Sequence, residues 1–179
     1  MFRTPKKERL FSSREIQKRV GELARTLSRD YRGRELVLIG VLNGAFIFLA
    51  DLVKRMTIPV QIDFVRLSSY GSGSESQGRI KVIKPTEFPL AGKSVLIVED
   101  IVDTGLTLDF LCRSLKEQNP ESVRICALVD KSERRKLPVS IDYTGFVVPS
   151  GFIVGYGLDF NEQFRQLPAI YRLLLTVSK

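Results

Sequence analysis

Residues 95–108 read Val-Leu-Ile-Val-Glu-Asp-Ile-Val-Asp-Thr-Gly-Leu-Thr-Leu, the richest chemistry in the chain. An apolar run delivers two adjacent carboxylates, Glu99 and Asp100, then a third, Asp103, before the turn Thr104-Gly105-Leu106-Thr107. Such a turn opening a helix offers unpaired backbone N–H groups, with two hydroxyls as further donors, which makes a cradle for a phosphate. Carboxylates beside that cradle would repel the phosphate unless they grip hydroxyl groups or a cation. Ribose hydroxyls and Mg²⁺ both meet the need, so the segment points to a ribose phosphate. The plain alternative is a strand and a capped helix, with Asp100 and Asp103 as surface charges. The chain has no histidine. Ser-His-Asp and Cys-His catalysis, HExxH metalloprotease chemistry and His-ligated zinc are therefore excluded. Acid–base work falls to carboxylates, Lys, Tyr or Cys, and any metal would be a hard ion held by oxygens.

The elements that position these groups alternate between strand and helix. Ser12-Ser13-Arg14-Glu15 is a capping-box pattern, and Ile16, Val20, Leu23, Ala24 and Leu27 follow at helical spacing, so a first helix runs to about Arg29. Residues 36–42 form a continuous apolar run, as expected of a strand buried on both faces. Asn43-Gly44 turns the chain into a helix over 45–55, and 60–67 alternate as a second strand. Residues 68–78 carry no apolar side chain except Tyr70 and read as a mobile loop, longer than a hairpin tip needs. A strand returns over 79–84, followed by a strand at 94–98, a helix at 105–118 and a strand at 123–129. Glu99 and Asp100 should then sit outside the carboxyl end of a strand, where open parallel sheets bind ligands. Short apolar stretches at 145–148 and 152–154 precede a predicted short helix near 167–175. The alternation implies right-handed crossovers and an α/β fold with a mostly parallel sheet.

The 179 residues, 44% hydrophobic and 27% charged, suit a single domain, 1–179, with a self-sufficient core. No apolar run reaches membrane-spanning length, and the start Met1-Phe2-Arg3-Thr4-Pro5 shows no signal-peptide pattern, so the expectation is a cytoplasmic protein without a membrane partner. Cys112 and Cys126, without CxxC spacing, read as reduced core residues. The net charge of +8 suits a polyanionic or phosphorylated partner. Its modest clusters at 3–9, 29–34 and 131–136 read as solvated faces.

The fourteen-residue pattern at 95–108 resembles the 5-phosphoribosyl-1-diphosphate (PRPP) binding signature of the type I phosphoribosyltransferases, most of all the hypoxanthine–guanine members. The likeness extends over about residues 36–165. It implies the type I phosphoribosyltransferase fold, with a small hood formed by the terminal segments, and purine salvage with Mg²⁺. It implies PRPP contacts from Glu99, Asp100, Asp103, Thr104, Gly105, Leu106 and Thr107, with Asp103 as the catalytic carboxylate that takes or shares the N7 proton of the base. Leu42-Asn43-Gly44-Ala45 falls where the family has its pyrophosphate loop, with a non-proline cis peptide. Many members have Lys or Arg where this chain has Asn43, which leaves backbone N–H groups at Asn43 and Gly44 to bind, together with Arg165. Ser69 and Tyr70 resemble the flexible loop that closes over the substrates. Lys131, Phe152, Ile153 and Asp159 fall at purine positions, and Glu99, Asp100 and Asp159 at metal positions. Alone, Lys131 could be a solvated loop lysine, Phe152 a core residue, Asp159 a turn cap and Arg165 an exposed helix arginine.

The likeness further implies a homo-oligomer, dimer or tetramer. A PRPP-sensing regulator of nucleic acid is the first rival, weakened by the scattered charge and by the lack of room for a DNA-binding domain. A sister enzyme for xanthine, adenine or a pyrimidine is the second. A Lys131 ammonium would donate to a purine 6-oxo group and could not do so to the 6-amino group of adenine. Hypoxanthine against guanine stays open.

Overall fold

The computed structural model describes residues 6–70 and 79–174. Its elements are β1 (Lys6–Phe11), α1 (Ser13–Asp30), β2 (Leu36–Leu42), α2 (Phe46–Val53), β3 (Gln61–Tyr70), β4 (Arg79–Lys84), β5 (Ser94–Val102), α3 (Leu106–Lys116), β6 (Ser122–Asp130), β7 (Tyr143–Val147), β8 (Phe152–Val154) and β9 (Ile170–Leu174). Six strands form the central sheet in the order β4-β3-β2-β5-β6-β7. All its pairings are parallel except β3 with β4.

Alternation along the buried strands sorts their side chains between two cores. Leu36, Leu38, Leu96, Val98, Cys126 and Leu128 pack with the apolar faces of α1 and α2. Val37, Ile39, Val95, Ile97, Ile125 and Ala127 pack with Leu108, Leu111 and Leu115 of α3. The Ser12 capping box forms in full: the Ser12 side chain accepts from the Glu15 N–H while the Glu15 carboxylate accepts from the Ser12 N–H. That fixes where α1 starts, and Ile16, Val20, Leu23, Ala24 and Leu27 are its buried stripe.

Strand order reverses between β2 and β5, since the chain leaves β2 toward β3 on one side and resumes with β5 on the other. A doubly wound sheet opens its ligand crevice at that switch point, at the carboxyl ends of the two strands. Residues 43–44 follow β2 there, Glu99 and Asp100 lie within the carboxyl-terminal part of β5, and Asp103 lies just beyond it.

Five sequence expectations need correction. Residues 167–175 hold no helix; Ile170–Leu174 is a strand, antiparallel to both β1 and β8 in a separate three-stranded sheet β1-β9-β8. That sheet is the hood, and the basic stretch at its start is strand β1 rather than only a solvated face. Ser68, Ser69 and Tyr70 belong to β3, paired with Lys81, Ile80 and Arg79, while the rest of the expected loop, 71–78, lies outside the described residues. β5 runs on to Val102, so Glu99 and Asp100 are inside the strand rather than beyond it. The helices expected at 45–55 and 105–118 are shorter, at Phe46–Val53 and Leu106–Lys116.

Candidate active site

Asp100 is built into the crevice by the alternation of β5. It follows Leu96 and Val98 on the side of α1 and α2, where the chain enters α2 through the Asn43–Gly44 turn. A Cβ on Gly44 would lie 1.9 Å from Asp100 Oδ2, so only glycine lets the turn rest on this carboxylate. The Leu42–Asn43 peptide is cis, Asn43 is exposed and Gly44 is buried. Glu99 and Asp100 are 7% and 8% exposed and have no ion-pair partner among the described residues. Burial raises the pKa of both carboxyls, and for Glu99 the neighbouring Asp100 charge adds to the effect. Two desolvated acids side by side are costly as anions, so the site fits a ligand that brings positive charge or hydroxyl donors.

Beyond β5 the chain turns through Gly105, whose φ of 82° falls in the region that favours glycine. A Cβ there would also strike the Leu137 carbonyl at 2.6 Å. The first bond within α3 runs from Asp109 N–H to Gly105 O, so the preceding N–H groups have no helical acceptor. Leu106 N–H leans on Thr104 Oγ1 at 3.4 Å. Asp103, Thr104, Gly105 and Thr107 line a cavity of about 230 Å³ together with Glu99, Asp100 and Leu42.

A second cavity of about 190 Å³ adjoins it, lined by Lys131, Arg134, Phe152, Ile153, Leu158 and Asp159 among others. Asp100, Ile101 and Asp103 line both and form the wall between them. Asp103 Oδ2 lies 3.4 Å from Lys131 Nζ and 3.7 Å from Arg134 Nη1. Its Oδ1 is buried without a hydrogen-bond partner, an acceptor left free within the wall. Lys131, far from being solvated, is 6% exposed, and Glu133 Oε2 stands 3.6 Å from its ammonium. Phe152 remains 40% exposed with its ring edge-on to Phe160 at 5.1 Å, which leaves a face for a flat ligand. Ile153 is buried beside it.

Asp159 and Arg165 form a local unit. Asp159 Oδ2 accepts from Glu162 N–H, and its Oδ1 pairs with Arg165 Nη2 at 2.9 Å. Arg165 also donates to Gly157 O at 2.8 Å and pairs with Glu162. Its positive charge acts on Asp100. Among the described residues no three carboxylates converge as a metal cage, so Asp159 does not close on Glu99 and Asp100 directly.

The sequence reading missed three contributors. Arg134 and Arg135 lie inside a basic run that reads as a solvated face, and nothing in its composition separates the inward Lys131 and Arg135 from the outward Arg134 and Lys136. Tyr156 was the third. Its hydroxyl donates to Asp51 Oδ2 at 2.8 Å and pins the 155–159 segment to α2. The left-handed φ values at Gly155, Tyr156 and Gly157 are the consequence that glycine flanks announce.

The Phosphoribosyl transferase domain family matches residues 7–161 of the chain. A hypoxanthine-guanine phosphoribosyltransferase of Dictyostelium discoideum is 43% identical over 171 residues, covering 93% of this chain and 95% of the relative. A bifunctional protein TilS/HprT of Listeria innocua is 44% identical over 161 residues, and there this chain spans only 25% of the relative's length. The crystal structure of a hypoxanthine-guanine phosphoribosyltransferase from Bacillus anthracis, with HEPES in its active site, superposes with a TM-score of 0.90 at 43% identity, covering 96% of this chain and 100% of that one.

Proposed function

The chain belongs to the phosphoribosyltransferase family, in its hypoxanthine–guanine group, and from that premise we propose that it transfers the 5-phosphoribosyl group of PRPP to N9 of hypoxanthine or guanine, releasing pyrophosphate and the nucleoside monophosphate. One observation carries the reading: two adjoining cavities share the Asp100–Asp103 wall, one with a helix-terminal phosphate cradle, the other with a buried ammonium and an open aromatic face.

In the reaction the bond from C1 of the ribose to the pyrophosphate oxygen breaks as N9 of the purine bonds to that carbon. The cradle at Asp103–Gly105, Leu106 and Thr107 holds the 5′-phosphate and so aligns C1 with the base. Glu99 and Asp100 grip the ribose hydroxyls, and their charge favours the cationic sugar of the transition state. Asp103 lines both cavities, faces the base across the shared wall and takes or shares the N7 proton. Lys131 donates to the purine 6-oxo group, and Phe152 and Ile153 flank the ring. Backbone N–H groups at Asn43 and Gly44, with Arg165, hold the departing pyrophosphate. Glu99 and Asp100, with Asp159, would hold Mg²⁺ through its water shell, and that ion supplies neutralising charge for the pyrophosphate. Ser69 and Tyr70, at the end of β3, are read as leading into the segment that closes over the substrates.

We read 1–179 as one catalytic domain acting in the cytoplasm as a homo-oligomer, a dimer or tetramer. Among the described residues no helix is long and apolar enough to cross a membrane. The test is a spectrophotometric assay with PRPP and Mg²⁺ on hypoxanthine, guanine, xanthine and adenine, with Asp103→Asn in parallel. Expected is turnover of hypoxanthine or guanine, cut about 10²- to 10⁴-fold in the variant as proton transfer is lost. Turnover of adenine alone would overturn the role of Lys131, and no turnover with PRPP still bound would favour the regulator.

A further inference from the structure

We infer that Arg135 is a positioning residue that ties the phosphate cradle to the lysine selecting the purine; the inference rests on the transfer reaction proposed above. Arg135 lines neither cavity, and its side chain is 19% exposed. Its Nε donates to Asp103 O at 2.8 Å. Its Nη2 donates to Val102 O at 2.9 Å, to the Asp130 carboxylate and to Lys131 O at 3.3 Å. Next along the chain, Lys136 N–H and Leu137 N–H both donate to Thr104 O, at 2.9 and 3.2 Å.

The carbonyls of Val102, Asp103 and Thr104 are thus all turned toward the 135–137 segment. In a trans peptide the N–H points opposite its carbonyl, so the N–H groups of Asp103, Thr104 and Gly105 are turned away from that segment. Those are the first donors of the cradle. The same guanidinium holds the last residue of β6 and the backbone of Lys131, which reaches 3.4 Å from Asp103 with its ammonium. One planar fork of donors therefore sets the shape of the phosphate turn and the depth of the purine-selecting lysine together. A lysine at this position, with one ammonium on a flexible stem, could not span acceptors on both strands. Neighbouring Arg134 is a contrast: it reaches Asp103 from a side chain 63% exposed.

The experiment compares the wild type with Arg135→Ala and Arg135→Lys by steady-state kinetics, and measures PRPP binding by calorimetry. In Arg135→Ala the KM values for PRPP and for hypoxanthine should both rise about tenfold, the loss expected when charged hydrogen bonds vanish, while kcat falls less. Millimolar methylguanidinium should restore both KM values in Arg135→Ala and leave the wild type unchanged, and Arg135→Lys should resemble Arg135→Ala. Unchanged KM values, or a loss of kcat and melting temperature alone without rescue, would overturn the inference. Should Arg135→Ala fail to fold, Asp130→Ala, which removes one anchor of the fork, should raise the same two KM values severalfold, and no change would count against it. A wild type inactive on every purine would overturn the transfer reaction instead. Calorimetry would still judge Arg135, since PRPP affinity should drop about tenfold in Arg135→Ala whichever base is used.

Discussion

Gly44→Ala tests whether the contact between the β2 turn and β5 sets the reaction geometry. The new Cβ would lie 1.9 Å from Asp100 Oδ2, 2.4 Å from its Cγ and 2.8 Å from Oδ1. Ordinary contact begins near 3.4 Å, so turn and carboxylate must separate by 3.4 − 1.9 = 1.5 Å. Asp100 is buried against the strand and its Oδ1 accepts from Ile101 N–H at 3.0 Å, so it cannot swing clear without losing that bond. The separation must move either the Asn43–Gly44 turn, proposed to hold pyrophosphate, or the Asp100 carboxylate, proposed to grip the ribose. A displacement of about 1 Å at reacting groups costs on the order of 10²-fold in rate. Expected, then, is kcat/KM for hypoxanthine with PRPP lowered about 10²-fold. Stability should drop by about 1–3 kcal/mol, the usual penalty of overpacking. Gly21→Ala is the matched control. A Cβ there meets nothing nearer than 3.6 Å, and the site is within α1, where alanine gains about 0.5–1 kcal/mol over glycine. It should melt slightly higher at unchanged kcat/KM. A Gly44→Ala enzyme with wild-type kcat/KM would refute the claim that this contact positions the site.

Two further outcomes follow from the charges of the site. Lys131→Gln should lower kcat/KM for hypoxanthine about 10- to 150-fold, the loss of a charged hydrogen bond of about 1.5–3 kcal/mol, with adenine no worse than in the wild type; equal losses on both bases would refute selection of the 6-oxo group. Glu99→Gln should stabilise the ligand-free protein in EDTA, and the sign follows from proton counting. Burial raises the folded pKa of Glu99 well above 4.5, so between 4.5 and that value the folded state binds more protons than the unfolded chain, and stability falls as pH rises. The melting-temperature advantage of Glu99→Gln should therefore widen from pH 4.5 toward neutrality, and an advantage constant with pH would sink the argument.

Much of the crevice was legible because its signals are local. The run at 36–42 is apolar at every position because a parallel strand is covered on both faces, and it folds as β2 over those same residues. The capping box at Ser12 and the strand–turn–helix at 95–108 are likewise written within single segments. The resemblance implied a hood of the terminal segments, but its strands were hidden in the residues for the opposite reason. β1 opens Lys6-Lys7-Glu8-Arg9, with no alternation to announce a strand, and its partner is β9 at the far end of the chain. The apolar Ile170, Leu173 and Leu174 recur at helical spacing, and only pairing with β1 and β8 decides for the extended form. Arg135 was illegible for a related reason: its acceptors are backbone carbonyls of a turn about thirty residues earlier, and carbonyls carry no sequence signature.

The hood and the sheet become one site through a short chain of contacts that starts at Tyr156. Its φ of 52° is left-handed, a conformation that costs a non-glycine residue about 1–3 kcal/mol. The Tyr156 hydroxyl donates to the Asp51 carboxylate, and such a bond to a charged group contributes about 1.5–3 kcal/mol, enough to offset the strain. Asp51 is itself held by Gln17 Nε2 at 2.8 Å, so α1, α2 and the hood segment meet at one carboxylate. Burial pushes the Asp51 carboxyl up, but the bonds from Gln17 and Tyr156 and the charge of Arg55 more than reverse this and keep it ionised. With Tyr156 fixed, Gly157 is laid against the Asn43–Gly44 turn so closely that a Cβ would lie 2.1 Å from Gly44 O. The Gly157 carbonyl in turn accepts from Arg165. Asp51 on α2 therefore governs the distance between Gly44, which follows β2, and the Asp159–Arg165 pair, which follows β8. The two groups proposed to hold the pyrophosphate come from different sheets, and the Tyr156 anchor is what puts them in one frame.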